Sequence, residues 1–128
     1  MDRDAINRTT GAIIGAAMKV HSTLGPGLLE SAYRDFVIHE LKKCGLAVQS
    51  EVGLPVVYDG VRIEAAYRVD MIVEGTIVIE LKAVATLLPI HKAQLLSYLR
   101  LGGYPAGLLI NFHVVRLKHG ITRMVNDL

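Results

Sequence analysis

The chain predicts an α/β (α+β) domain, a mixed β-sheet flanked by helices, and three observations lead there. Two segments of helical periodicity occupy the first 44 residues. A Val- and Ile-rich stretch punctuated by Asp-Gly and Glu-Gly follows. A third helical segment then leads into the short apolar run "AGLLINF". With 128 residues, 52% of them apolar, a sizeable core is affordable and one domain spanning 1–128 is expected.

The first helix is read from about Asp4 to Ser22, with Ile6, Ile13, Ile14, Ala17 and Val20 as its apolar face. "TLGPGL" breaks it, and a second helix runs from about Leu28 to Cys44. Its core positions are read as Leu29, Ala32, Tyr33, Phe36, Val37 and Leu41. Lys42 and Lys43 suit its C-terminal dipole and Gly45 stops it. Cys44, near the end of this helix, is expected to pack. As the single cysteine it excludes an internal disulfide and a Cys-rich zinc site.

Three or four strands are read between Leu46 and Val84. Asp59-Gly60, between "LPVVY" and "VRIEAAY", is a hairpin signal. Past Pro89, "IHKAQLLSYLRLGG" reads as a helix ending at paired glycines. "AGLLINF" reads as a strand buried on both faces, and "VVRLKHGITRMV" supplies one more strand after a turn at His119-Gly120.

Composition narrows the function classes. No apolar run approaches the ~18 residues of a membrane span, so no membrane partner is expected. The N-terminus opens with acids and mixed charges rather than a basic leader, and no small-residue cleavage site follows "GAIIGAAM"; a cytoplasmic location is the expectation. Net charge is only +2, so no strong nucleic-acid footprint shows in composition alone.

The most strand-like stretch, "YRVDMIVEGTIVIELKA", carries three charges: Asp70, Glu80 and Lys82. Alternation puts Glu80 and Lys82 on one face with Val78, and Ile77, Ile79 and Leu81 on the other. A strict two-residue Glu74-Gly75 turn sets Asp70 opposite Ile79, on the wrong face. An odd-length loop or a bulge brings it round to Glu80, and that arrangement is the one expected. Two adjacent carboxylates need a cation, and oxygen donors favour Mg²⁺ or Mn²⁺ over zinc. The local pattern alone favours a plainer reading, a surface salt bridge from Lys82 to Asp70 or Glu80.

Residues elsewhere change that balance. Asp70 followed by Glu80-Leu81-Lys82 resembles the D-(x)n-E-x-K signature of the PD-(D/E)xK nuclease superfamily, although Val69 stands where the superfamily nominally has proline. Gln94 and Tyr98 in "QLLSY" resemble its Q-x-x-x-Y helix motif. Gly27, Glu30 and Tyr33 in "GLLESAY" match the motif that names the GxxExxY protein family. The likeness extends over roughly residues 10 to 125 and implies a restriction-endonuclease-like core.

The resemblance also implies roles. Asp70 and Glu80 are the main metal ligands, the Leu81 carbonyl is a third, and Lys82 is the catalytic lysine. Glu30 completes or orients the metal site, Gln94 contacts the lysine, a water or the phosphate, and Tyr33 and Tyr98 line the cleft. Helical spacing agrees, since Gln94 and Tyr98, and likewise Glu30 and Tyr33, share a helix face. The expected activity is hydrolysis of DNA or RNA phosphodiester bonds with Mg²⁺ (or Mn²⁺). The alternative is a non-catalytic nucleic-acid-binding or protein-interaction module on the same fold, consistent with the low net charge and few aromatics. The small size also leaves room for a homodimer, or for a partner that supplies substrate contacts.

Overall fold

In the computed structural model, described over residues 2–126, helices α1 (Arg3–Leu24) and α2 (Glu30–Lys43) precede three strands. These are β1 (Val48–Tyr58), β2 (Val61–Val73) and β3 (Ile77–Lys82). Helix α3 (Pro89–Gly102), β4 (Ala106–Asn111), a 3₁₀ turn (Leu117–Gly120) and β5 (Ile121–Val125) complete the chain. The five strands form one sheet in the order β1-β2-β3-β4-β5. Only the β3–β4 pair is parallel, because α3 carries the chain across between them. The mixed sheet with flanking helices is the predicted class. The ambiguous strand region resolves as three strands.

Each turn follows from its residues. Asp59 (φ 52°) and Gly60 (φ 76°) both adopt left-handed backbone, the signature of a two-residue I′ turn closing Tyr58 onto Val61. Glu74 (φ 54°) and Gly75 (φ 64°) belong instead to a three-residue loop that includes Thr76, because Val73 pairs with Ile77. Helix α1 begins at Asp2, whose carboxylate accepts the Asp4 N–H at 3.0 Å. Helix α3 ends at Gly103 in the left-handed region (φ 70°).

Two apolar layers enclose the sheet. Helices α1 and α2 pack Ile6, Ile13, Ala17, Tyr33, Val37 and Leu41 against Met71, Val73, Ile77, Ile79, Leu81, Leu108 and Ile110. Helix α3 packs Leu95 and Leu99 against Ile72, Val78 and Leu109 on the other face. β3 and β4 are buried on both faces, as expected of strands covered by helices on each side. Among the described residues no helix is long and apolar enough to cross a membrane.

Some core assignments need correcting. The buried stripe of α2 is Tyr33, Val37 and Leu41, spaced four apart. Phe36 lies one step round the helix and is exposed. Leu29 is the N-cap residue and is 77% exposed, because the chain turns outward there. Cys44, the C-cap residue of α2, is exposed rather than packed.

Gly120 is fixed by a close approach. A Cβ added there would lie 2.2 Å from the Asn111 carbonyl oxygen and 3.1 Å from Val114 Cγ2. Gly120→Ala must push the β4 backbone aside and is expected to destabilise the protein by about 1–3 kcal/mol. Urea titration reads this directly, and an unshifted midpoint would show that the β4–β5 corner yields freely.

Candidate active site

The sheet divides where the charged residues stand. β2 pairs with β3 only from Met71 to Val73, while its remainder stays with β1 and the rest of β3 stays with β4. The three-residue Glu74–Thr76 loop sets Met71 opposite Ile79, which brings Asp70 opposite Glu80 at the mouth of this fork. The odd-length loop therefore settles the register as expected.

Within the fork, side chains replace the backbone ladder. The Asp70 N–H donates to Glu80 Oε1 at 2.9 Å, and the Leu81 N–H donates to Asp70 Oδ2 at 2.7 Å. Strand alternation also slips here. Val69 and Ile72, three residues apart, both join the α3-side cluster, while Met71 and Val73 face the other helices. Directly across β1, between the Ser50–Met71 and Val52–Val69 pairs, Glu51 takes φ 51°.

Burial and proximity act on the acids together. Glu80 is 9% exposed. Burial first, and the Asp70 carboxylate second, push its carboxyl up to about 7. Burial also raises Asp70, against the opposing effects of the Leu81 N–H bond and the Lys82 and Arg34 charges. Glu30, the first residue of α2, is raised by burial and then by Asp70, and is lowered by Lys82 and Arg34. The fields of all three acids and of Lys82 thus overlap at one end of the sheet.

The predicted residues separate by placement. Asp70 and Glu80 meet directly, and Lys82 ends β3 half-buried beside them. Lys82 makes no ion pair within 4 Å among the described residues, so the simple salt bridge to Asp70 or Glu80 is absent. Leu81 takes part through its N–H. Glu30 is an electrostatic neighbour: among the described residues no three His, Cys, Asp or Glu side chains gather closely enough to hold a metal ion. Tyr98 is half-buried, and its hydroxyl is raised by burial and then by the Glu80 charge. Gln94, one turn earlier, is exposed.

Tyr33 does not line the cleft. It is fully buried, stacked on Phe112 with ring centroids 4.4 Å apart. Its hydroxyl donates to the Gly25 carbonyl at 2.5 Å and accepts the Leu28 N–H at 3.1 Å. Its task is to tie down the Gly-Pro-Gly loop that delivers Glu30. Tyr33→Phe removes both bonds and is expected to cost about 1–3 kcal/mol. Thermal unfolding checks this, and an unchanged midpoint would show that the loop is held by other contacts.

Four further residues shape the site. Tyr67, on β2, stacks on Tyr98 with centroids 4.4 Å apart at 22°. Asn111, 2% exposed, ends β4 beside Lys82; it accepts the Val84 and His113 N–H groups and donates to the Val84 carbonyl at 2.9 Å. It thereby pins the chain where β3 ends. The only sequence signal for it was a polar residue closing an apolar run. Arg34 and Glu51 approach Asp70 from α2 and β1, and no motif spacing marked either.

The donor set suits a hard cation. Asp70 and Glu80 each give one oxygen to a backbone N–H, which leaves the second oxygen of each for an ion, and their mutual repulsion would be relieved by one. A comparison of the chain with protein-family models matches that of the PD-(D/E)XK nuclease superfamily over residues 7–124. No curated protein and no solved structure matches.

Proposed function

Because the chain belongs to the PD-(D/E)XK nuclease superfamily, we propose that it is a nuclease dependent on Mg²⁺ or Mn²⁺ that hydrolyses phosphodiester bonds of DNA or RNA. The observation that carries this reading is the fork itself, where two carboxylates meet beside a lysine that makes no ion pair among the described residues. Within the superfamily we assign the chain to the GxxExxY group, on Gly27, Glu30 and Tyr33.

Asp70 and Glu80 would hold the metal, with the Leu81 carbonyl as a further donor and water completing the shell, as Mg²⁺ prefers. A divalent ion there supplies Lewis acidity toward a phosphate oxygen and a water of lowered pKa. Lys82, two residues beyond Glu80, places its ammonium where negative charge develops on the phosphate. Glu30 would complete or orient the metal site from the first turn of α2. Gln94 and Tyr98 form the α3 wall of the cleft, with Tyr98 braced by Tyr67.

The test is incubation with single- and double-stranded DNA and RNA in Mg²⁺, in Mn²⁺ and with chelator. Cleavage that requires the divalent ion is expected. A protein that binds no divalent ion and cuts none of these substrates is an interaction module on a nuclease fold.

A further inference from the structure

Two arginines converge on one carboxylate at the edge of the fork. Arg34 Nη2 lies 3.1 Å from Glu51 Oε1, and Arg68 Nη1 lies 3.8 Å from Glu51 Oε2. Arg34 comes from α2, one turn after Glu30, and Arg68 from β2, two residues before Asp70. Arg34 also lies 3.8 Å from Asp35, which is largely exposed. The charges of Arg34 and Glu51 both reach Asp70, so this group borders the proposed reaction centre.

The backbone of Glu51 is unusual. It holds φ 51° in the middle of a strand, where non-glycine residues rarely go, between the Ser50–Met71 and Val52–Val69 pairs of the β1–β2 ladder. Its side chain is half-exposed, which makes the pairing weak and readily exchanged. Guanidinium groups bind phosphate oxygens in the same forked geometry as carboxylate oxygens, and a phosphodiester carries the same single negative charge.

We propose that Arg34 and Arg68 form a phosphate-binding site for the nucleic-acid backbone beside the Asp70–Glu80 fork, and that the Glu51 carboxylate occupies it until substrate displaces it. This inference rests on the nuclease reading. It adds a contact to a phosphate other than the one cleaved, and a built-in competitor that sets affinity. Substrate exchanges with Glu51 one charge for one, so the acid suppresses weak, non-specific binding to polyanions.

The experiment is fluorescence anisotropy in Ca²⁺, with labelled single-stranded DNA, single-stranded RNA and duplex DNA as probes, across a salt series. Arg34→Met should weaken binding about tenfold and reduce the salt slope by about one. Arg34→Lys, which keeps the charge and loses the fork, should retain the slope at intermediate affinity. Glu51→Gln should tighten binding several-fold, and this gain should vanish in the double variant with Arg34→Met. Wild-type protein that binds none of the probes overturns the nuclease reading and this inference with it. Wild-type binding with Arg34→Met unchanged in affinity and slope overturns this inference alone. Glu51→Gln that weakens binding as much as Arg34→Met does makes Glu51 a support for the arginine, and the competitor role falls.

Discussion

Asp70→Ala and Glu80→Ala should each reduce divalent-dependent cleavage by ~10³-fold or more, because each removes a proposed ligand and half of the charge that holds the ion. The structure also indicates what else each change disturbs. Asp70→Ala strands the Leu81 N–H, and Glu80→Ala strands the Asp70 N–H, at about 1–3 kcal/mol apiece. That cost is partly offset, since each variant relieves the repulsion that Asp70 exerts on the buried Glu80. Both variants should therefore remain folded, and circular dichroism beside the cleavage assay separates loss of chemistry from loss of fold. Cleavage at the wild-type rate in both folded variants would falsify the metal assignment. An unfolded Asp70→Ala would instead make the fork mainly structural, and Asp70→Asn, which keeps an acceptor for the Leu81 N–H, then becomes the informative change.

Most of the fold was legible because its signals are local. The periods of α1, α2 and α3, the Asp59-Gly60 turn and the apolar β4 each follow from neighbouring residues. The misplaced core positions share a cause. Leu29 and Phe36 are apolar residues on the edge of a helical stripe, and only the direction of the preceding loop decides whether such residues meet the sheet. Tyr33 shows the same limit in reverse. Motif spacing grouped it with Glu30, yet its ring turns inward to Phe112, a residue 79 positions away in sequence that no local pattern could pair with it.

The site was legible to the extent that it depends on register. Once the Glu74–Thr76 loop has three residues, the Met71–Ile79 register carries Asp70 to Glu80, whereas the slip of alternation at Val69 had no such signal. The Arg34–Glu51–Arg68 group was not readable, because it joins α2, β1 and β2 through a strained residue whose φ has no sequence signal in a glutamate. Asn111 falls between these cases. Its position at the end of an apolar run was visible, but not its hydrogen bonds to Val84 across the sheet end.

The metal-free protein should lose stability as pH rises from 5 to 8. Glu80 ionises in the folded state only near 7, against an ordinary 4.5, so the folded chain binds a proton there more tightly than the unfolded chain does. Stability from this group is complete below the unfolded value, declines through the interval, and is gone above about 7. A displacement of that size corresponds to about 3 kcal/mol, or roughly 10 °C in Tm for a chain of this length. Asp70, also raised, contributes in the same direction. Glu80→Gln cannot ionise, so the difference between the wild-type and variant profiles isolates the contribution of Glu80 from that of the rest of the chain. Saturating Mn²⁺ or Mg²⁺ should lift the wild-type Tm most at pH 8 and flatten its profile, because bound cation favours the ionised pair. If Glu80→Gln keeps the full wild-type slope, burial of this acid is not what the profile reports. If the divalent ion leaves wild-type protein unchanged at pH 8, Asp70 and Glu80 do not share it.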